Sequence, residues 1–325
     1  MSLESFSSRE AFPDLQEPSR SARVASVAVS WNGRAILPGL LESLLNQTQS
    51  LSELIVVDNA STDGTIELLN EQFPSVKVIR LTTNEGVSGG YSAGLEYALG
   101  RNYDWVWMLD QDSRPLPSTV EKLLAAAEAF PDRDKLGLIA PLSIDEATRA
   151  PNSLFLWKEG QIEVPTASAG EVLTLVDMVI SSGSLIRREA VIKAGLPRKD
   201  LFMDFVDYEH CLRLRRSGFL IAIVNQCVMP HTIGQPRTVK FLGKPKNWIT
   251  HTPWRDYYKV RNRAFVVWHQ VPSIRAKLFV VRQFLKQMIG SLLYDPEKVR
   301  RIHFMWRGLW DGIRGRLGIT VRPTD

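Results

Sequence analysis

Two carboxylates one residue apart, Asp110 and Asp112, follow the apolar segment WVWML of residues 105–109. The apolar run predicts a buried strand, so both acids are expected where that strand ends, at the edge of a sheet. Close carboxylates repel each other, and a divalent cation bound through oxygen ligands is the usual reason to keep them together. Acids in a solvated turn are the competing interpretation, because Asp is common at strand ends. The apolar approach to the pair favours a metal site.

A second group of acids, Asp204, Asp207 and Glu209, lies in the segment LFMDFVDYEHCLR. A helix is predicted over residues 207–216, and a helix N-terminus favours one acid as a cap. Capping explains neither three acids within six positions nor their aromatic neighbours, which are Phe202, Phe205 and Tyr208. Loss of contact with water would raise the pKa of a carboxyl among these rings and make it a better base.

Two single residues at strand ends are weaker candidates. His231 follows Pro230 after an apolar strand, where a lone imidazole is more often structural but also suits a bound cation. Asp58 follows the segment ELIVV, and its carboxylate can accept from a helix N-terminus or from the imide N–H of uracil or thymine. Residue type and spacing leave both alternatives open at each position.

Alternating strands and helices must position these residues. Strands are predicted over 24–32, 53–59, 76–81 and 105–109, helices over 36–46, 62–73 and 117–130, and a glycine-rich turn over 86–94 leads into another helix. This alternation predicts an α/β fold with a mostly parallel sheet and ligands at the carboxyl ends of its strands. The polar residues expected at those ends are Ser30, Asn32, Asp58, Asn84, Asp110 and Asp112. Beyond them we predict strands over 136–140, 178–186 and 219–229.

Charge divides the chain near Pro236. Residues 237–325 contain 19 of the 40 Lys and Arg residues but only 5 of the 35 Asp and Glu residues, so they carry +14 and the preceding part carries −9. A helix predicted over 275–293 places Arg275, Arg282 and Lys286 on one face, and Leu278, Val281, Leu285, Met288 and Leu292 on another. Such a segment attracts anions, and phospholipid headgroups, nucleic acid and nucleotide phosphates all remain open.

Three regions are therefore expected: a disordered polar leader over 1–23, an α/β domain over 24–235, and a basic, mostly helical region over 236–325. The leader lacks the apolar core of a signal peptide, and no stretch approaches 18 apolar residues, so we expect a cytoplasmic protein. Two cysteines fit a reducing compartment. The glycine-rich turn has neither a Walker lysine nor GxGxxG spacing, which disfavours P-loop kinases and dinucleotide enzymes.

Seven ordered blocks carry a resemblance. They are AVSWN, LIVVDNASTDGT, NEGVSGGYSAG, WMLDQDS, FMDFVDYEHCLRLRRSG, MPHTIG and RDYYKVRNR. In this order they resemble glycosyltransferase family 2 with the GT-A fold, and within it the bacterial rhamnosyltransferase branch. The resemblance extends from about residue 24 to residue 318.

The resemblance implies a role for each candidate residue. Asp207 would be the catalytic base of an inverting sugar transfer. Asp110, Asp112 and His231 would hold Mg²⁺ or Mn²⁺ on the donor diphosphate. The nucleotide-sugar would be bound by Ser30, Asn32, Asp58, Asn84, Gly86 and Asp110, with Asp58 on the base and Asp110 on the ribose.

The branch also indicates substrates and location. We expect dTDP-rhamnose as donor, with UDP-galactofuranose as the alternative, and a saccharide or polyprenyl-diphosphate-linked acceptor in cell-surface polysaccharide synthesis. The basic region suits an anionic membrane surface, so the enzyme is expected on the cytoplasmic face of the inner membrane. The apolar face of the 275–293 helix could instead pack on the catalytic domain or on a second subunit of a homo-oligomer.

A different class of protein, a non-catalytic nucleotide- or nucleic-acid-binding protein, is the less favoured alternative. Its basic surface would have no need of Asp110, Asp112, Asp207 and Glu209. The chain also shows no RRM, KH or helix-turn-helix signature. We therefore expect no nucleic-acid partner.

Overall fold

A computed structural model describes residues 22–145, 156–158, 161–163, 172–230, 235–241 and 244–322. The strands are β1 (Val24–Ser30), β2 (Glu53–Asp58), β3 (Lys77–Arg80), β4 (Trp105–Asp110), β5 (Leu136–Ile144), β6 (Leu156–Lys158), β7 (Gln161–Glu163), β8 (Leu173–Val176), β9 (Leu185–Arg187), β10 (Leu220–Pro230), β11 (Gln235–Phe241) and β12 (Lys244–Thr250). The helices are α1 (Leu37–Leu45), α2 (Thr65–Gln72), α3 (Gly86–Leu99), α4 (Thr119–Glu128), α5 (Arg188–Ala194), α6 (Val206–Arg216), α7 (Pro253–Gln270), α8 (Ile274–Tyr294) and α9 (Lys298–Ile313).

A central eight-stranded sheet has the order β3-β2-β1-β4-β9-β5-β10-β8. The first four strands in this order are parallel, β9 runs antiparallel to β4 and β5, and β10 is parallel to β5. Helices cover both faces and bury apolar side chains on each side of the sheet. The predicted α/β class with a mostly parallel sheet is confirmed.

Helix α3 packs unusually close to β1. A Cβ atom on Gly90 would lie 2.4 Å from Val29 Cγ1, and one on Gly94 would lie 2.2 Å from Val27 Cγ1. Only glycine allows this approach, because any larger residue would push the helix off the sheet. The close packing brings Tyr91, on the same helix, towards the end of β4.

Most predicted elements of the first half are confirmed, but the glycine-rich turn and one strand are wrong. The predicted turn over 86–94 is helical, since α3 already begins at Gly86. Strand 178–186 is absent apart from its last two residues, since the strand begins at Leu185. Residues 181–183 form a turn with Gly183 at φ +87°, and Trp107 Nε1 donates to the Gly183 carbonyl at 2.9 Å. An apolar run alone does not reveal such a turn. The predicted leader lies outside the described residues except for residues 22 and 23.

The C-terminal part consists of the β11–β12 hairpin followed by α7, α8 and α9. Helix α9 lies against α7, and a Cβ on Gly308 or Gly312 would lie 2.5 Å or 2.3 Å from the carbonyl oxygens of Tyr257 and Arg261. The helix predicted over 275–293 is confirmed as α8, whereas α7 and α9 were not predicted. Among the described residues, no helix is long and apolar enough to cross a membrane.

Candidate active site

The polar strand ends meet at one edge of the sheet. In the strand register Ser30 lies opposite Asp58, and Asp110 lies opposite Val29, the residue before Ser30. Because β1 lies between β2 and β4, the ends of three parallel strands form one continuous rim. The sequence prediction of their convergence holds for Ser30, Asp58 and Asp110.

Asp58 carries the one unusual carboxylate atom of this rim. Its side chain is fully buried, and Oδ2 accepts a hydrogen bond from the Ser61 backbone N–H at 3.2 Å. Oδ1 is buried and has no hydrogen-bond partner in the part of the chain that the structure describes. A buried acceptor left without a donor is costly, so an N–H from a ligand would stabilise this site.

Ser30 and Asn32 fasten the loops around this rim. Ser30 Oγ and the Trp31 backbone N–H both donate to Gln111 Oε1, at 2.9 and 3.0 Å. Asn32 Oδ1 accepts from the Thr62 backbone N–H at 2.9 Å, and the Asn32 backbone N–H donates to Ser61 Oγ at 2.8 Å. These two residues therefore shape the walls of the site through contacts within the protein.

Asn84 and Gly86 form the start of α3. Asn84 Oδ1 accepts from the Gly86 backbone N–H at 2.9 Å, and Gly86 has φ +72°. A Cβ at Gly86 would lie 2.1 Å from the Phe202 carbonyl oxygen, and that carbonyl also accepts from the Ser88 backbone N–H at 3.1 Å. Gly86 is thus needed where α3 meets the segment that carries the second group of acids.

Asp110 is held by Tyr91, a residue that the sequence analysis did not single out. The Tyr91 hydroxyl donates to Asp110 Oδ1 at 2.9 Å. Burial raises the pKa of the Tyr91 phenol well above its usual value, and the charge of Asp110 adds to the shift. Tyr91 therefore stays protonated and keeps the carboxylate in place, while Asp112 is exposed on the rim.

Asp207 lies in the first turn of α6. Its Oδ1 accepts from the Tyr208 backbone N–H at 2.9 Å. Burial raises the pKa of the Asp207 carboxyl to about 7, and the negative charges of Asp204 and Asp110 contribute in the same direction. A carboxyl with a pKa near neutral pH can both accept and retain a proton, as a general base must.

The other acids near Asp207 are neutralised within the protein. Asp204 accepts two hydrogen bonds from Arg255, at 3.0 and 3.2 Å. Glu209 is fully buried and pairs with Arg213 at 2.9 Å. These pairings leave Asp207 as the acid of this group that is suited to proton transfer.

The segment before α6, residues 200–205, is here named the acid loop. Phe202, Asp204 and Phe205 have φ values of +67°, +57° and +63°, which non-glycine residues rarely adopt. Asn262 Nδ2 on α7 donates to the carbonyls of the loop at residues 201, 203 and 204, over 2.9, 2.7 and 2.8 Å. The Arg261 guanidinium donates to the carbonyls of residues 200 and 201. The block RDYYKVRNR thus holds the acid loop, a role that its sequence did not reveal.

Asp110 and Asp112 could hold a divalent cation. Two carboxylates at a strand end suit Mg²⁺ or Mn²⁺, which complete their coordination with water and substrate phosphates. Among the described residues there is no group of three His, Cys, Asp or Glu side chains that could hold a metal. His231, the predicted third ligand, lies outside the described residues, so its role stays a prediction.

A family model, glycosyl transferase family 2, matches residues 27–195, which include the whole rim. The chain belongs to glycosyl transferase family 2. It is similar to the dTDP-rhamnosyl transferase RfbF of Shigella flexneri, with 28% identity over 86% of this chain and 92% of the relative. It is also similar to the galactofuranosyltransferase GlfT1 of Mycolicibacterium smegmatis, with 27% identity over 78% of this chain and 85% of the relative.

The fold of this family 2 glycosyltransferase resembles that of S. aureus TarS 1-349 solved in complex with UDP. The TM-score is 0.54 with 16% sequence identity, over 90% of this chain and 83% of that one. The expected GT-A fold and the expected glycosyltransferase activity are both confirmed. In this glycosyltransferase the first turn of α6 places a base-like acid, Asp207, within electrostatic reach of Asp110 on the rim.

Proposed function

We propose that this glycosyltransferase transfers rhamnose from dTDP-rhamnose to a saccharide hydroxyl, with inversion at the anomeric carbon. The observation that carries the proposal is the placement of Asp207, a carboxyl with a pKa of about 7, within electrostatic reach of Asp110. The similarity to a dTDP-rhamnosyl transferase over 86% of the chain supports the donor.

In the proposed reaction Asp207 takes the proton of the acceptor hydroxyl. The hydroxyl oxygen forms the new bond to the anomeric carbon as the bond to the donor diphosphate breaks on the opposite face. The diphosphate leaves with its electron pair, and no covalent enzyme intermediate forms. A Mg²⁺ or Mn²⁺ ion held by Asp110 and Asp112 would neutralise charge on the leaving diphosphate.

Asp58 supplies the recognition of the base in this proposal. Its unpartnered Oδ1 would accept from the imide N–H of thymine. Uracil presents the same edge, so this contact does not separate dTDP-sugars from UDP-sugars. UDP-galactofuranose is the second candidate donor, supported by the similarity to galactofuranosyltransferases.

We place the acceptor on a polyprenyl diphosphate at the cytoplasmic face of the inner membrane, in the synthesis of a cell-surface polysaccharide. Among the described residues, Ala276, Val280 and Phe284 form the buried face of α8, and most of the predicted apolar face is exposed, apart from the partly buried Met288. Leu278 is 61% exposed and Ile289 is 54% exposed. An exposed apolar face on a basic helix suits an anionic membrane surface.

The donor is tested by mixing the full chain with dTDP-rhamnose and with UDP-galactofuranose, each with Mn²⁺ and without acceptor. Slow hydrolysis to free sugar and nucleoside diphosphate is followed by chromatography. Faster hydrolysis of dTDP-rhamnose, lost on chelation, supports the proposal. Faster hydrolysis of UDP-galactofuranose favours the second candidate, and hydrolysis of neither contradicts both.

A further inference from the structure

Helix α7 carries three cationic residues in a row: Arg255, Lys259 and Arg263. A spacing of four residues places side chains one above another on one helical face, so the row extends about 12 Å along the axis. Its first member contacts the acid loop through Asp204. Its last member reaches α8, since Arg263 Nη2 donates to Gln287 Oε1 at 3.3 Å.

Within the described ranges, the second and third cations, Lys259 and Arg263, form no ion pair of their own. Lys259 makes no ion pair with any described residue, and the two nearest acids are already paired, Asp204 with Arg255 and Asp256 with Arg301. Arg263 is 7% exposed, and its Nε has no hydrogen-bond partner within the described ranges. Burial lowers the pKa of Lys259 and lowers that of Arg263 to about 10.

Leaving such groups unpaired opposes folding. A buried guanidinium N–H without an acceptor and a half-buried ammonium without a carboxylate both cost free energy. Packing alone does not call for this arrangement, because an apolar side chain would fill the same space without the penalty. Buried cations without an acidic partner are instead typical of a site that an anion completes.

We propose that Lys259 and Arg263 bind the diphosphate of the acceptor. This inference rests on the proposed transfer to a polyprenyl-diphosphate-linked saccharide. The row begins at the acid loop, where the acceptor hydroxyl must meet Asp207, and ends at α8, whose outer face is exposed and apolar. The acceptor consists of a saccharide, a diphosphate and a polyprenyl chain, in this order. The acid loop, the cations Lys259 and Arg263, and the outer face of α8 follow one another in the same order.

The donor also contains a diphosphate, so the position of the site must separate the two sources. The proposed metal ligands Asp110 and Asp112 would bring the donor diphosphate to the sheet rim. Asp204 acts to raise the pKa of both Arg255 and Lys259, but of the three cations in the row Arg255 is the one on which the rim acids Asp110 and Asp112 also act. Lys259 and Arg263 lie further along α7, so the acceptor diphosphate is the one that they would contact.

The test measures binding of farnesyl diphosphate to the full chain by calorimetry, with and without saturating dTDP. Wild type is compared with Lys259→Gln and Arg263→Gln, and with Arg300→Gln as a control that removes an exposed cation from α9. Farnesol and inorganic pyrophosphate show whether the lipid or the diphosphate carries the affinity.

We expect wild type and the Arg300 variant to bind farnesyl diphosphate even when dTDP is bound. Each of the other variants should raise the Kd for farnesyl diphosphate about tenfold or more, through loss of a charged hydrogen bond, and leave the Kd for dTDP within twofold. Pyrophosphate should compete and farnesol should not. Lys259→Gln removes no hydrogen bond or ion pair to any described residue, so it tests the site even where Arg263→Gln does not fold.

Equal binding by wild type and the Lys259 variant would overturn the proposal. Displacement of farnesyl diphosphate by dTDP would assign the cations to the donor and would overturn it as well. Because the assay involves no sugar transfer, failure of the donor experiment would count against the proposed function and leave this result unchanged.

Discussion

The surroundings of Asp207 disfavour the ionised form of its carboxyl. Asp207 must be ionised to act as a base, so these surroundings control its activity. The penalty comes mainly from burial and then from Asp204 and Asp110. Tyr91 and Arg255 fix the neighbouring acids, so the residue that remains with a raised pKa is the one in the first turn of α6. This contrast between neighbouring carboxyls is what assigns them different tasks.

The rate of transfer should depend on the ionisation of Asp207. With a pKa of about 7, the carboxyl is mostly protonated below pH 6 and ionised above pH 8, so kcat should rise through about pH 7. Asp207→Asn should lower kcat by about 10²–10⁴-fold with little change in donor affinity, because an amide cannot accept the proton. Initial rates and dTDP binding measured from pH 5 to 9 test both expectations. Near wild-type transfer by the Asn variant would remove Asp207 from this role.

Ionised Asp207 should lower the free energy of unfolding at high pH. Its folded-state pKa of about 7 exceeds the ordinary value of 3.8, so the folded state holds the proton more tightly and loses stability as pH rises from about 4 to 7. Asp207→Asn removes this loss and should raise the Tm at pH 8 by at least about 2 °C, with a smaller effect at pH 5. Thermal melts at both pH values measure the difference, and Asp112→Asn, which changes an exposed acid of the sheet rim, is the control. An equal effect at both pH values would contradict the assignment.

Asp58→Asn tests the unpartnered acceptor. An amide group can place an N–H where Oδ1 now lies, facing the ligand's own N–H inside a buried site. The Kd for dTDP should rise about tenfold to a hundredfold, as expected for the loss of a hydrogen bond to a charged group. Calorimetry with dTDP and with UDP should show similar losses, since both bases present the same edge. An unchanged Kd for both nucleotides would show that Asp58 does not contact the base.

At the scale of elements, the strands and helices of the first half could be predicted, because each is a single apolar run or a single amphipathic repeat. The residues that complete the site could not be predicted in the same way. Asn262 meets the acid loop 58 residues away at Asp204, and Arg255 meets the same residue from 51 positions away. Helical spacing tells which residues share a face but not what that face contacts, so the role of α7 becomes visible only in the fold.

Helix α7 keeps the acid loop in a conformation with three positive φ values. Asn262→Ala removes three hydrogen bonds to loop carbonyls and should lower the free energy of unfolding by about 2–4 kcal/mol. A relaxed loop would expose Asp207 to water, so the rise of kcat with pH should move below pH 7, which a purely structural loss would not cause. Rates across pH and urea unfolding measure the two effects.

Asn225→Ala is the matched control for this experiment, since it removes an amide that bonds to Thr174 on β8, away from the loop. The control should lose stability without moving the pH profile. If Asn262→Ala also left the profile unmoved, the loop would not depend on α7 for the environment of Asp207.

At the scale of the whole molecule, the acidic part and the basic part of the chain both contribute to the candidate active site. The acidic part contains the sheet rim, and the basic part supplies α7, which completes the site from outside the region that the family model matches. Sequence composition predicted this charge division, but it could not show that one helix of the basic part joins the active site while another exposes an apolar face.

The outer surface of α8 and α9 should bind anionic membranes. On α9, Trp306 and Trp310 are 53% and 55% exposed, and aromatic side chains of this kind favour the interface between lipid and water. Lys and Arg near an anionic surface contribute about 1 kcal/mol each, and salt screens this attraction. Sedimentation with vesicles of rising phosphatidylglycerol content should therefore increase with anionic lipid and fall with salt.

Arg282→Gln with Lys286→Gln should weaken binding at low salt, and Trp306→Ala with Trp310→Ala should weaken it at every salt concentration. A control pair, Lys122→Gln with Lys193→Gln, removes exposed charges from the catalytic part and should sediment like wild type. Equal sedimentation of all these proteins, together with a concentration-dependent dimer in solution, would assign the surface to a second copy of the chain.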